Sequence, residues 1–287
     1  MTDYNTPMIV YLSLVHMAAL QGFVSLLKCH PYTLWWALLL WPISGLGITA
    51  GAHRLWAHRS YKATYALRFF LMICNSIANQ GSIYHWARDH RVHHKYAETN
   101  ADPHNAKRGL WFSHIGWLFV KKHPDVIDGG KRLLFNDLTS DSVVMLQKQM
   151  DPWLALALCF WFPGYISTLW GDSFWNGFWV AGALRYVAVL HFTWCVNSLA
   201  HMYGDRPYDK SIHATENPFV SVVAIGEGWH NWHHIYPYDY ATSEYGASVQ
   251  YNPTKMFIDM MGYMKLASDF KRATSAWEKQ KRVRNGD

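Results

Sequence analysis

The 287-residue chain is predicted to be all-α and integral to a membrane, with four transmembrane helices in two hairpins and a cytosolic helical cap holding a di-metal site. Three observations predict this. Four stretches are apolar over the length, about 20 residues, that a helix needs to cross a bilayer. Lys and Arg are nearly excluded from the loops inside each pair of stretches. Eight histidines fall into three tight clusters beside those stretches, and a ninth, His201, stands close by.

The spans run from about Met8 to Leu27, Tyr32 to Ala52, Trp153 to Trp170 and Phe174 to Val196. The loops inside each pair are tiny, Lys28 to Pro31 and Gly171 to Ser173, so each pair is a hairpin. Pro42 should bend the second span, and Pro163 with Gly164 the third. Arg185 lies inside the fourth span and should face a partner or a polar cavity rather than lipid. Of 26 Lys and Arg, Lys28 lies in a short loop and Arg185 in a span; all others lie between spans two and three or after span four. Positive loops stay cytosolic, which places the histidine clusters and both termini in the cytosol. The cap then comprises residues 53–152 and 197–287, within one domain over residues 1–287.

The apolar run from Ala66 to Tyr84 is read as a cytosolic or interfacial helix, because a fifth span would put the first two histidine clusters on opposite sides of the membrane. The segment from Asp102 to Asp151 mixes turn signals with short helical runs. Lys265 to Asp287 is charged and reads as a solvated helix or frayed tail. A mean hydropathy of −0.11 requires a sizeable water-facing part to offset the spans. The formal charge of +6 suits an acidic or membrane-surface partner, and 16 tryptophans suit a membrane interface. The four cysteines form no CxxC pair and read as small buried hydrophobes. No signal-peptide pattern precedes the first span.

The clusters are His53 with His58; His90, His93 and His94; and His230, His233 and His234. Positions i, i+3 and i+4 share one helix face, so each of the last two clusters can point at one buried volume. His53 and His58 would lie about 140° apart on an ideal helix, and they converge only if the helix ends or distorts between them. His201 follows Asn197 by one helical turn. Nine imidazoles are too many for one metal with about four to six ligands, and they suit two. Thiolate clusters are absent, which excludes zinc ribbons and iron–sulfur centres. Nitrogen-rich ligation fits non-haem iron, with copper and zinc left open by ligand type alone. Histidines 16, 30, 85, 114, 123, 191 and 213 are read as hydrogen-bonded core or pH-sensitive residues, and His104 as a possible partner of a ligand.

Gly47-Ile-Thr-Ala-Gly-Ala-His53-Arg-Leu-Trp-Ala-His58-Arg-Ser-Tyr-Lys62 resembles the first histidine box of animal acyl-CoA desaturases. Trp86-Ala-Arg-Asp-His90-Arg-Val-His-His94-Lys-Tyr resembles the second, followed by Ala101-Asp-Pro-His-Asn105. Gly226-Glu-Gly-Trp-His230-Asn-Trp-His-His234 resembles the third. Ser113-His-Ile-Gly-Trp117 and Asn197-Ser-Leu-Ala-His201-Met-Tyr-Gly204 extend the likeness over nearly the whole chain, and its wording is nearest the stearoyl-CoA (Δ9) type.

That resemblance implies a multi-pass enzyme of the endoplasmic reticulum membrane with two Fe(II) per chain. His53, His58, His90, His94 and His233 are implied to hold one iron. His93, His201, His230 and His234 are implied to hold the other, with Asn197 reaching it through water. The implied substrate is a saturated fatty acyl-CoA that receives a cis double bond. Arg88, Lys121 and Lys122 match head-group positions, and Asp89 and Trp194 match substrate-lining positions. The implied co-substrate is O2, with electrons from a separate cytochrome b5 and its NADH-dependent reductase; no nucleic-acid partner is implied. Trp41, about three turns before His53, is a candidate tunnel floor. Gly81, His85 and Met8 depart from the family pattern near the head-group site, and the arm before the first span is short. Rival readings are a histidine-box lipid hydroxylase or oxidase, a desaturase of other regioselectivity such as Δ11, a metal transporter, and an inactive lipid-binding relative. The transporter would need ligands within the spans, whereas all nine histidines lie at or beyond span ends.

Overall fold

The computed structural model describes residues 3–285. Four helices are long and apolar enough to cross a membrane: α1 (Thr6–Leu26), α2 (Pro31–Ala57), and, after α3 (Tyr65–Ala78) and α4 (Ile83–Tyr96), α5 (Trp153–Trp170) and α6 (Phe174–Met202). Only 28% of the apolar window of α1 is buried, which leaves Leu14, Met17, Leu20 and Phe23 as a continuous face for lipid. At the hairpin end the two short loops are clasped together. Asp172 accepts from the His30 amide at 2.8 Å, from the Thr33 hydroxyl and from the Asn176 side chain.

The second and fourth spans do not stop where their apolar runs stop. They continue as helix to Ala57 and Met202, so His53 and His201 ride on span helices rather than on a separate cap. α2 passes through Pro42 and, from Gly47 to Ala57, widens into a π-helix. The backbone of α3 crosses here. A Cβ on Gly47 would stand 2.1 Å from the Asn75 nitrogen, so only glycine permits the approach.

Arg185 is buried in the bundle without a counter-ion. It donates to the carbonyls of Ala181, Ile77 and Cys159 at 3.0–3.1 Å. Cys159 is four residues before Pro163, which has no N–H to give it. Ile77 lies in the last turn of α3, where carbonyls lack helical partners. The guanidinium therefore collects oxygens that helix irregularities leave free, as expected for a charge at this depth.

α3 has 14 residues, about 21 Å of helix, too short to cross the bilayer core. It packs on α2 by its buried face and exposes Tyr65, Phe69 and Phe70. The remainder of the first cap segment is short helices and turns. A two-stranded antiparallel pair, Lys62–Ala63 with Ala267–Ser268, joins the cap segment after α2 to the one after α6. The charged tail is not frayed. Helix Thr274–Asn285 buries Trp277 against Tyr208 and Trp232, and Gln280 accepts from the Tyr236 hydroxyl. One large aromatic ring outweighs the solvation of the charges around it.

Candidate metal centre

The wide turns of α2 answer the spacing of the first histidine pair. In a π-helix the hydrogen bonds span five residues, and His58 N–H donates to His53 O at 3.0 Å. Residues five apart then stack on one face, where an α-helix would separate them. α4 starts at Ser82, whose hydroxyl accepts from the His85 amide as an N-cap, and it carries His90 and His94 on one side with His93 turned away. α7 (His230–Ile235) supplies His230, His233 and His234.

These helices bring the nine imidazoles together as two groups. His53, His58, His90, His94 and His233 form one, and His93, His201, His230 and His234 the other, with ligand atoms in each within 4.8 Å of one another. Nε2–Nε2 distances in the first are 2.9 Å for His53–His233, 2.8 Å for His58–His90 and 3.0 Å for His94–His233. In the second they are 3.3 Å for His93–His234, 3.0 Å for His201–His230 and 3.1 Å for His230–His234. Neighbouring ligands on metal–nitrogen bonds of about 2.1 Å at right angles would be about 3 Å apart. Hydrogen bonding alone cannot account for the packing. His233 Nε2 has one proton or one lone pair, yet it faces both His53 and His94. The donor set fits metal in both places.

Electrostatics keep the rings neutral. Burial, then the neighbouring imidazoles, hold His58, His90, His94, His230, His233 and His234 well below the usual histidine value. A neutral ring offers the lone pair that a metal needs. The far nitrogens meet carboxylates. His53 Nδ1 is 3.0 Å from Glu227, His93 Nδ1 is 2.9 Å from Asp102, and His201 Nδ1 is 3.8 Å from Glu98. Such contacts fix the tautomer and aim Nε2 at the site. Burial alone would raise both Asp102 and Glu227. The imidazoles around Asp102, and Arg54 with His53 beside Glu227, outweigh it and hold both below the usual carboxylate range. Arg54 is fully buried and ties Glu227 at 2.8 Å to the Tyr240 and Ala241 carbonyls and Asn252. His104 converges with His93 on Asp102, and burial pushes it down to about 3.

An apolar cavity opens on both groups. Trp41, Trp86, Phe192, Val196 and Ile225 line it, and His53, His90, His230 and Asn197 stand in its wall. The Trp41 indole donates to Val223 O at 3.1 Å and leans on Phe192, with ring centroids 5.3 Å apart.

The proposed substrate contacts are divided. Arg88 donates to Asp89 at 2.9 Å, and Lys122 donates to the other oxygen of the same carboxylate. Lys121 instead pairs with Asp3 at 3.3 Å, and Trp194 is buried against the rings of His114 and His191. Arg54, Asp102 and Glu227 had no role assigned from sequence. Their signal was position: each lies within or beside a histidine box, where ligand rings need partners for their second nitrogen.

The sequence matches the fatty acid desaturase family profile over residues 33–247. The chain belongs to the fatty acid desaturase family. All nine histidines fall inside the matched region, so this desaturase is an all-α, multi-pass membrane enzyme with a histidine-built metal centre. It is 52% identical over 277 residues to stearoyl-CoA desaturase 5 of Bos taurus, covering 96% of this chain and 82% of the relative. Human stearoyl-CoA desaturase 5 is 50% identical over 280 residues, with 97% and 84% covered. Mouse stearoyl-CoA desaturase 2 is 49% identical over 286 residues, with 99% and 79% covered.

Proposed function

We propose that this enzyme is an acyl-CoA desaturase that introduces a cis double bond, at Δ9, into a saturated fatty acyl-CoA. The observation that carries the reading is an apolar cavity ending on two convergent imidazole groups in a chain about half identical to stearoyl-CoA desaturases. In this reading the two groups hold two irons per chain. His53, His58, His90, His94 and His233 hold one, and His93, His201, His230 and His234 hold the other, with Asn197 acting through water. Bound iron would supply the O2-derived oxidising power that no side chain has, enough to remove hydrogen from unactivated carbons.

The protein's part is placement. Trp41 and Phe192 close the apolar wall and keep water from the chain, so distance from the head anchor decides which carbons lie at the site. Arg88, Asp89 and Lys122 form the anchor for the phosphate-bearing head, joined by Lys121 and Trp194 once substrate is bound. Glu227 and Asp102 hold the Nδ1 protons of His53 and His93 throughout. Electrons come from cytochrome b5 and its NADH-dependent reductase, whose acidic face suits the basic cap. The location is the endoplasmic reticulum membrane, with both termini and the histidines cytosolic. The test is expression in a desaturase-deficient cell followed by double-bond mapping. New Δ9 acyl chains are expected. Hydroxylated product without alkene, or no new unsaturation despite good expression and b5 supply, sinks the proposal.

A further inference from the structure

Three histidines outside the metal groups form a line rather than a cluster. His16 is on α1, His191 on α6, and His114 on the short helix Leu110–His114. His16 Nδ1 is 2.6 Å from the Leu12 carbonyl, and its Nε2 is 3.1 Å from His191 Nε2. His191 Nδ1 is 2.9 Å from His114 Nε2, and His114 Nδ1 is 2.9 Å from the Ser198 hydroxyl. Ser198 is in turn 2.8 Å from the Trp194 carbonyl.

Both ends of this line are carbonyls, which only accept. Its five contacts need five protons, whereas three neutral imidazoles and one hydroxyl bring four. The line therefore either leaves one contact unfilled or carries one extra, shared proton. An imidazole can take a proton on one nitrogen while releasing one from the other, so the charge is spread over three rings without moving heavy atoms. An unfilled contact between two facing lone pairs in a largely desolvated place is the costlier choice. The Ser198 end lies beside Asn197, and the Ser198 carbonyl accepts the His201 amide at 3.1 Å.

We infer that His16, His191 and His114 share one excess proton and serve as an internal proton store for the desaturation. This role, though not the shared proton itself, rests on the acyl-CoA desaturase reading. That reaction is –CH2–CH2– + O2 + 2 H+ + 2 e− giving –CH=CH– + 2 H2O. Two C–H bonds and the O–O bond break, four O–H bonds form, and the electrons come from the one-electron donor. Two protons must reach oxygen from outside the substrate. The store delivers one of them: an N–H of the line breaks as an O–H of water forms, and solvent restores it. Because the line is blind at Leu12, it loads and discharges through His114 and Ser198.

The test uses the full chain in nanodiscs with its metal bound, so that ligand histidines are silent as proton carriers. Nitrogen-15 spectra of labelled histidine at about pH 7 are compared for the parent, His191→Asn and His114→Gln. Each variant opens the line at a different contact, so either suffices if the other fails to assemble. Loss of an imidazolium signal is expected in the variant, together with an at least about tenfold slower turnover and a larger solvent deuterium isotope effect, at unchanged metal content. If the variant loses only a neutral imidazole signal, the shared proton is refuted. If the signal goes but turnover and isotope effect stay, the role in the reaction is refuted. A shared proton in a protein that makes no alkene would instead overturn the desaturase reading and leave the proton site standing.

Discussion

The nine cap imidazoles and the three strung across the spans use the same side chain for opposite ends. In the cap, Nδ1 of His53 and of His93 meets a carboxylate, and Nε2 is turned inward with its lone pair free. In the spans, both nitrogens of each ring meet neutral partners, and no atom is left pointing at a common centre. Convergence therefore depends on the anchors behind the rings as much as on the rings. A histidine with an acid at its back becomes a ligand; a histidine between two other neutral groups becomes a link that passes protons.

The largest expected break in that contrast is His233→Ala. This ring closes on both His53 and His94, so its loss should lower alkene formation at least about 100-fold and reduce bound metal, measured by product analysis and metal assay. Full metal content in the variant would mean that the five rings do not act as one site. The anchors come next. Asp102→Asn should weaken metal affinity about 10- to 100-fold while leaving the apoprotein folded. Glu227→Gln should do the same and also destabilise the cap by about 3–5 kcal/mol, because it strands the buried Arg54. Unfolding of metal-free protein separates the two.

The smallest effect concerns a carboxyl that faces no imidazole. Burial pushes Glu216 up to about 8, with its oxygens near the Trp232 amide and Gln250. Its folded value lies above its unfolded one, so its contribution is full below about pH 4.5 and is lost as pH rises through about 8. Parent stability should fall across that window by no more than about 1.4 kcal/mol per pH unit from this group. Glu216→Gln should remove that slope, as thermal unfolding at both ends of the window would record.

The spans and the histidine sets were legible because they depend on local pattern: apolar length, loop charge, and i, i+3, i+4 spacing. The acyl-CoA desaturase family likeness read from the boxes is upheld by the family match and by relatives about half identical to the chain. What escaped depends on partners distant in sequence. The 140° separation of His53 and His58 demanded a distortion, but its form follows from α3 crossing at Gly47. Arg185 needed company, yet the carbonyls that satisfy it come from three helices. Trp277 turned a charged tail into a packed helix because Trp232 and Tyr208 wait for it. Lys121 and Lys122 are adjacent in sequence but belong to different ion pairs, since one faces Asp3 and the other Asp89.

The widened turn from Gly47 to Ala57 also sets how the site tolerates changes in chain length. A π-helix holds more residues per turn than an α-helix, so removing one residue would let the backbone relax into the commoner form without breaking the rod. The membrane anchor would survive such a deletion. The rotation of one ring relative to the other would not, because His58 would swing by about 100° on the relaxed helix. Insertion and mechanical continuity are thus insured separately from metal geometry, and a length change here should yield an embedded, stable and inactive protein.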